Sequence, residues 1–340
     1  MDPALPSPPP EIAARPRRRW WVAVLVVAVV LVAAASWITL PYYSEGPGPA
    51  REVTPLIRFE GPQRFEPTGR LALTTVSFEQ LTPITALAAW LDPNRQIVEE
   101  SILYPPGQDR DREERTSFSQ MDQSKINAAY VVLRELTDYP RDRGEGALVE
   151  GTAPGCPADD ELFPGDLVVA IDGEPIDSYR EAGRVIRATP PGREMVFDLD
   201  VDGAEMQASF ARERCLDGNR PIVGVQMVDA FPFPIEMSSG DIGGPSAGLM
   251  WAIGLYELMT PEDLTGGRFI AGTGTLGLDG AVGPIGGIRD KVLAAQEAGA
   301  EIFLVPADNM AELEGVDAGG MRLVSVATFD DARRALEDGA

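Results

Sequence analysis

Residues 269–300 read FIAGTGTLGLDGAVGPIGGIRDKVLAAQEAGA. The apolar run Phe269–Ala271 ends at Gly272-Thr273-Gly274, as a strand entering a turn does. After a glycine-rich stretch, Ile288–Ala298 reads as a helix closed by Gly299. Ile288, Val292 and Ala295 share one face and would point to a core. Upstream, Gly243–Met259 reads GGPSAGLMWAIGLYELM, a sharp glycine-proline entry into an apolar helix. Leu71–Phe78 (LALTTVSF) adds a strand, and Ser117–Leu136 an amphipathic helix with Met121, Ile126, Ala129, Val132 and Leu136 at helical spacing. The chain reads as mixed α/β.

Two side chains in these stretches carry chemistry. Ser246 falls at a helix N-terminus, where free N–H groups and the positive dipole end suit a developing oxyanion. The plainer reading is that Ser246 caps the helix. Lys291 lies one turn into the later helix, one residue from its apolar stripe. The plainer reading there is a lysine snorkelling to the surface. Composition bears on the choice. The chain has no histidine, which excludes Ser-His-Asp and Cys-His machinery and HExxH zinc sites. Of the 29 basic residues only Lys125 and Lys291 are lysine. Arginine keeps its proton at working pH, whereas a desolvated lysine can lose it. A lone lysine here is what a Ser-Lys dyad requires.

The 53 acidic residues give a net charge of −24, which excludes nucleic acid as a partner because phosphate contacts need basic surface. No GxxxxGK[ST] occurs, so no ATP site is expected. Residues 1–19 are Pro- and Arg-rich and read as a disordered tail. Residues 20–40, WWVAVLVVAVVLVAAASWITL, are uncharged and about 30 Å long as a helix, one hydrocarbon core. Trp20, Trp21, Trp37, Tyr42 and Tyr43 bracket the run, and Arg15, Arg17, Arg18 and Arg19 precede it. The positive-inside rule puts the tail in the cytoplasm and the rest outside, in a single-pass cell-membrane protein. A cleaved signal peptide, with Ala33-Ala34-Ala35 as its site, is the competing reading. The apolar run continues to Leu40 and favours a retained anchor. In an exported chain, Cys156 and Cys215 suggest one disulfide, against two unrelated thiols.

The Pro/Gly run Gly46–Ala50 reads as a linker, residues 107–116 (GQDRDREERT) as a charged loop and residues 139–146 as a breaker-rich boundary. Beyond it come a strand at Ala147–Glu150, a strand at Asp166–Ile171, a helix at Tyr179–Ala188 and a hairpin at Met195–Phe210 turning at Asp202-Gly203. Ile222–Val228 reads as a further strand. Asp198–Gly203 (DLDVDG) opens like a calcium loop, but its twelfth position is Ser209 rather than a bidentate Glu. Alternating Phe197, Leu199 and Val201 fit a strand instead, and no metal is expected.

The runs ADDELFPGDLVVAIDGEPI and PPGREMVFDLDVDG resemble a PDZ domain of the bacterial protease-associated kind, over about residues 144–213. The resemblance implies peptide binding by strand addition, with a carboxylate-binding loop at Gly144, Glu145, Gly146 and Ala147. GGPSAG, then PIGGIRDK ending 45 positions after Ser246, resembles the proteolytic domain of Lon proteases, as does the intervening AGTGTLGLDGAVG. GRLALTTVSF and SQMDQSKINAAYVVLREL resemble that domain's opening strand and helix. The resemblance implies Ser246 as nucleophile, Lys291 as general base and Thr273 as the lysine's support, with Gly244 and Ala247 as backbone oxyanion donors. It also implies an α/β (α+β) Lon-type proteolytic domain, 41–143 and 214–340, with the PDZ domain inserted at 144–213 and a membrane helix at 20–40. The position three before the nucleophile, often Asp in full Lon, is Gly243, with Asp241 the nearest carboxylate. Lon's ATPase parts are absent from these 340 residues. The expected activity is ATP-independent, cofactor-free endoproteolysis of unfolded or flexible extracytoplasmic polypeptides, with a homo-oligomeric ring by resemblance alone. A PDZ scaffold carrying a degenerate Lon-like part is the alternative.

Overall fold

The computed structural model describes residues 20–104, 110–216, 218 and 220–339. The expected tail at 1–19 and the first part of the expected 107–116 loop lie outside the described residues. Helix α1, Trp20–Trp37, is apolar on every face and buries none of its side chains. Strand β1 (Tyr42–Glu52) then pairs antiparallel with β2 (Arg70–Gln80). Gly46–Ala50, expected as a linker, lies inside β1. The register shifts between Pro47 and Ala50. A bulge there absorbs the two prolines, which lack ladder N–H groups.

Helix α2 (Pro83–Leu91) follows, then β3 (Gln96–Glu99), which pairs with the start of β1. Helix α3 runs from Arg110 to Leu136. The charged stretch 110–116, expected as loop, forms its first turns. Asp111 and Glu113 sit at its positive end, and Arg112 pairs with Asp159 at 3.3 Å. Next come β4 (Ala147–Thr152), β5 (Leu167–Ile171), α4 (Tyr179–Ala188), and the hairpin β6 (Glu194–Val201) and β7 (Ala204–Ala211). The hairpin turns at Asp202 and Gly203, both at positive φ (51° and 83°). The expected strand Ile222–Val228 is broken at Gly224, φ 77°, and its main part is β8 (Val225–Asp229). A Cβ at Gly224 would lie 2.2 Å from Cys156 Cβ, so close approach as well as φ demands glycine. The last elements are α5 (Gly248–Met259), β9 (Phe269–Gly272), α6 (Ile288–Ala298), β10 (Ile302–Pro306), β11 (Arg322–Val326) and α7 (Phe329–Glu337).

These strands make two main sheets. The larger runs β11-β10-β9-β2-β1-β3, parallel from β11 to β2 and antiparallel beyond. Helix α5 is buried along its whole length, in a core with α3, α7 and β2. Helix α6 packs Ile288, Val292 and Ala295 with Phe269, Ala271 and Phe303 in a second core. The smaller sheet, β8-β4-β5-β6-β7, is antiparallel and encloses a third core with α4. Its edge strand β8 lies beyond the 144–213 span expected for this unit.

Candidate active site

Ser246 sits two residues before α5, whose cap residue is Ala247, with no side-chain capping bond. Its hydroxyl instead meets Lys291, whose Nζ donates to Ser246 Oγ at 2.6 Å and to Thr273 Oγ1 at 3.2 Å. Thr273 Oγ1 in turn donates to Ser246 O at 2.9 Å. Gly274 N donates to the same carbonyl at 2.8 Å, and Leu249 N to Gly274 O at 3.1 Å. The turn after β9 is thus stitched to the serine loop on both sides of Ser246. Helix α3 braces that loop from behind: Ser124 Oγ donates to Pro245 O at 3.3 Å.

Lys291 reaches the serine because α6 starts abruptly. Gly287, at φ 66°, turns the chain into the helix, and a Cβ there would lie 2.7 Å from Val76 Cγ2. Lys291 is buried, and burial pushes its ammonium down to about 8. Two carboxyls nearby are also raised: Asp290 by burial, Glu45 by burial and by Asp290. An open cleft of about 660 Å³ leads to the pair, walled by β2 residues Leu73–Phe78 and by Met121 and Ile242. Arg51 pairs with Asp241 at 3.0 Å at its rim. The second lysine, Lys125, pairs with Asp122 at 2.8 Å on α3 and does not line the cleft.

The two expected oxyanion donors differ. Ala247 N–H has no intramolecular partner among the described residues and stands at the positive end of α5. Gly244 N–H is engaged: it donates to Ser117 O at 2.7 Å. Residue reading missed this contact and the Ser124 brace. Ser117 and Ser124 lie two turns apart on one face of α3, the only trace of the brace in the sequence.

Gly144–Ala147 does not lie at a free sheet edge. Ala147 pairs with Asp229 on β8 and with Val168 on β5. Gly144 N donates to Ala230 O, and Ala230 N to Gly146 O. Strand addition needs an edge strand, and the edges of this sheet are β7 and β8, the latter beside α4 with its Asp229 O already accepting from Tyr139 Oη at 2.6 Å. Cys156 and Cys215 form a disulfide. In the hairpin, Asp198 Oδ1 accepts from Gln207 Nε2 and Asp200 Oδ1 from Gly203 N.

Residues 221–336 match the family model of the Lon protease (S16) C-terminal proteolytic domain, and residues 148–199 that of a PDZ domain. The Lon protease of Desulforamulus reducens is 30% identical over 143 residues, 42% of this chain and 16% of its own length. That of Paraburkholderia phytofirmans is 42% identical over 162 residues, 44% of this chain and 20% of its own length. The chain thus spans a fifth or less of these relatives. The PDZ domain of the SdrC-like protein from Listeria innocua is a structural neighbour at 24% identity and a TM-score of 0.22, covering 24% of this chain and 93% of that one. The chain carries a Lon-type proteolytic domain and a PDZ domain.

Proposed function

We propose that the chain is an ATP-independent serine endopeptidase of flexible extracytoplasmic polypeptides, anchored by α1 and working through a Ser246–Lys291 dyad. The observation that carries the reading is the 2.6 Å contact between Ser246 Oγ and a buried Lys291 Nζ. An amine held near 8 is partly neutral at physiological pH, and a neutral amine accepts the serine proton. Oγ then attacks the scissile carbonyl carbon. The oxyanion meets Ala247 N–H at the positive end of α5. Lys291 returns the proton to the leaving amine, the acyl-enzyme forms, and water releases it by the reverse exchange. Thr273 holds Lys291 and the Ser246 carbonyl in register.

Polypeptide segments add to the edge of β8 beside α4 in the PDZ unit, which thereby concentrates substrate near the cleft. Export is supported by the Cys156–Cys215 bridge, which persists in oxidising compartments, and by the apolar, wholly exposed α1. The test is cleavage of an unfolded polypeptide by the full chain in detergent, with covalent labelling by a serine-reactive phosphonate. Ser246→Ala should abolish both, and Lys291→Arg should abolish turnover. Turnover retained by either variant refutes the dyad.

A further inference from the structure

Helix α2 is short, uncharged and almost wholly solvent-facing. Thr82 and Thr85 cap it reciprocally, and Ala89 alone among its nine residues is buried. Ile84, Leu87, Trp90 and Leu91 are 41, 59, 74 and 68% exposed. Positions 84, 87 and 91 fall on one face of the helix, with Trp90 beside them. Four large apolar side chains on nine residues form a patch that a protein surface facing only water does not keep.

The place of α2 in the fold says what covers it. Leu40 N donates to Leu81 O, and Leu81 N to Tyr42 O, so the chain leaving α1 is tied to the residue just before the α2 cap, Thr82. Helix α2 lies in contact with α1, although α1 buries none of its side chains. Trp37, at the end of α1, is 88% exposed, Ile38 follows it, and Glu100 N donates to Pro41 O, which brings the exposed Ile102 to the same end of the molecule. The apolar face of α2 therefore continues that of the candidate membrane span. A Trp at such a boundary is the residue that favours the lipid headgroup region.

We propose that α2 is an interfacial helix. It lies in the bilayer surface beside the point where α1 emerges, with Leu87, Trp90 and Leu91 among the lipids. This rests on the reading of α1 as a membrane span. The attraction is apolar, because α2 has no charge and Glu79, Asp92 and Glu99 outnumber Arg95 around it. Two attachments fix the orientation of the catalytic domain, where one would leave it swinging on a tether.

The height of the cleft follows. Strand β2 lines the cleft from Leu73 to Phe78, and Gln80 Nε2 then donates to Leu40 O at 3.4 Å. Along the strand Phe78 is two residue steps from Gln80 and Thr74 six, so the cleft spans roughly 7 to 20 Å from the point where α1 emerges. The substrates that fit are flexible segments of membrane-attached polypeptides close to the membrane surface.

The test uses the full chain in phosphatidylcholine vesicles. Both native cysteines are bridged, so one thiol at a time is added and spin-labelled: Leu87→Cys, Leu91→Cys, Ala28→Cys inside α1 and Asp317→Cys on the remote surface. Relative accessibility to oxygen and to a water-soluble nickel chelate reports depth. Positions 87 and 91 should favour oxygen several-fold over position 317, in the sense of position 28. Water-like values at 87 and 91 with position 28 in lipid would overturn the interfacial helix and leave the anchor standing. Position 28 in water would overturn both. A label at 87 shielded from both reagents would mean a protein partner, such as a second copy, and would overturn the proposal. In a second arm, the double variant Leu87→Glu/Trp90→Glu should cut a flexible segment tethered close to the vesicle about tenfold less well, with the same segment as free peptide unaffected. An undiminished tethered rate, or equal loss on both substrates, would refute the positioning role.

Discussion

Replacing Lys291 by Met should make the protein inactive and more stable. Burial holds the folded-state ammonium at about 8, against an ordinary value of 10.5. Below pH 8 both folded and unfolded chains carry the proton, and folding bears the full desolvation penalty, about 3 kcal/mol. The lysine also makes two hydrogen bonds, to Ser246 Oγ and Thr273 Oγ1, which the variant loses. At roughly 1 kcal/mol each they offset much of the gain, leaving about 1–2 kcal/mol in favour of Met at pH 7. The pH dependence is the sharper signature. Between 8 and 10.5 the unfolded chain binds more protons than the folded one, so the parent gains stability as pH rises. The advantage of Met should therefore shrink through that window, ending as a small deficit above it. The assay is urea unfolding at pH 7, 9 and 10.5, followed by the change in tryptophan emission, which reports chiefly on Trp251, fully buried beside α3 where the other four are exposed. A stability difference that is the same at all three pH values would refute the desolvated lysine and, with it, the base.

Turnover itself should titrate: kcat/KM should rise about tenfold per pH unit below the lysine value and level off above about 8, measured on an uncharged peptide. Thr273→Val keeps the volume of a buried side chain but removes both hydroxyl contacts; kcat should fall roughly ten- to a hundredfold with KM little changed and the urea midpoint lowered only modestly. Gly287→Ala puts a Cβ against Val76 at a left-handed φ, so a loss of about 1–3 kcal/mol and a larger fractional loss of kcat are expected. Cys156→Ser/Cys215→Ser opens a loop of 59 residues and should lower stability by about 2–4 kcal/mol, seen as a lower midpoint in non-reducing urea titrations.

Much of the catalytic half was legible as a string. The helix Ile288–Ala298, its closing Gly299 and the strand Phe269–Gly272 stand where glycine punctuation and apolar spacing place them. Regular elements obey local rules, and these stretches state them clearly. Local rules failed where distant neighbours decide. Gly46–Ala50 has linker composition but lies in β1, because pairing with β2 tolerates a bulge there. Residues 110–115 are all charged yet helical, continuous with a helix whose later turns are buried.

Residue types and their scarcity are properties of the sequence alone: no histidine, one serine behind a glycine-proline turn, and one lysine on a later helix. Those facts narrow the chemistry because the proton affinity of each side-chain type is intrinsic. Distance and desolvation are not intrinsic. Only the packing of α6 against β1 and β2 brings Lys291 to Ser246, 45 residues away in the chain, and only burial there moves its proton affinity toward neutrality. The same holds for the donors. Gly244 and Ala247 look alike as backbone groups in the sequence, but α3 engages the first through Ser117 and leaves the second open. Hydrogen-bond satisfaction is a property of the whole fold, and no local pattern encodes which N–H will be left over.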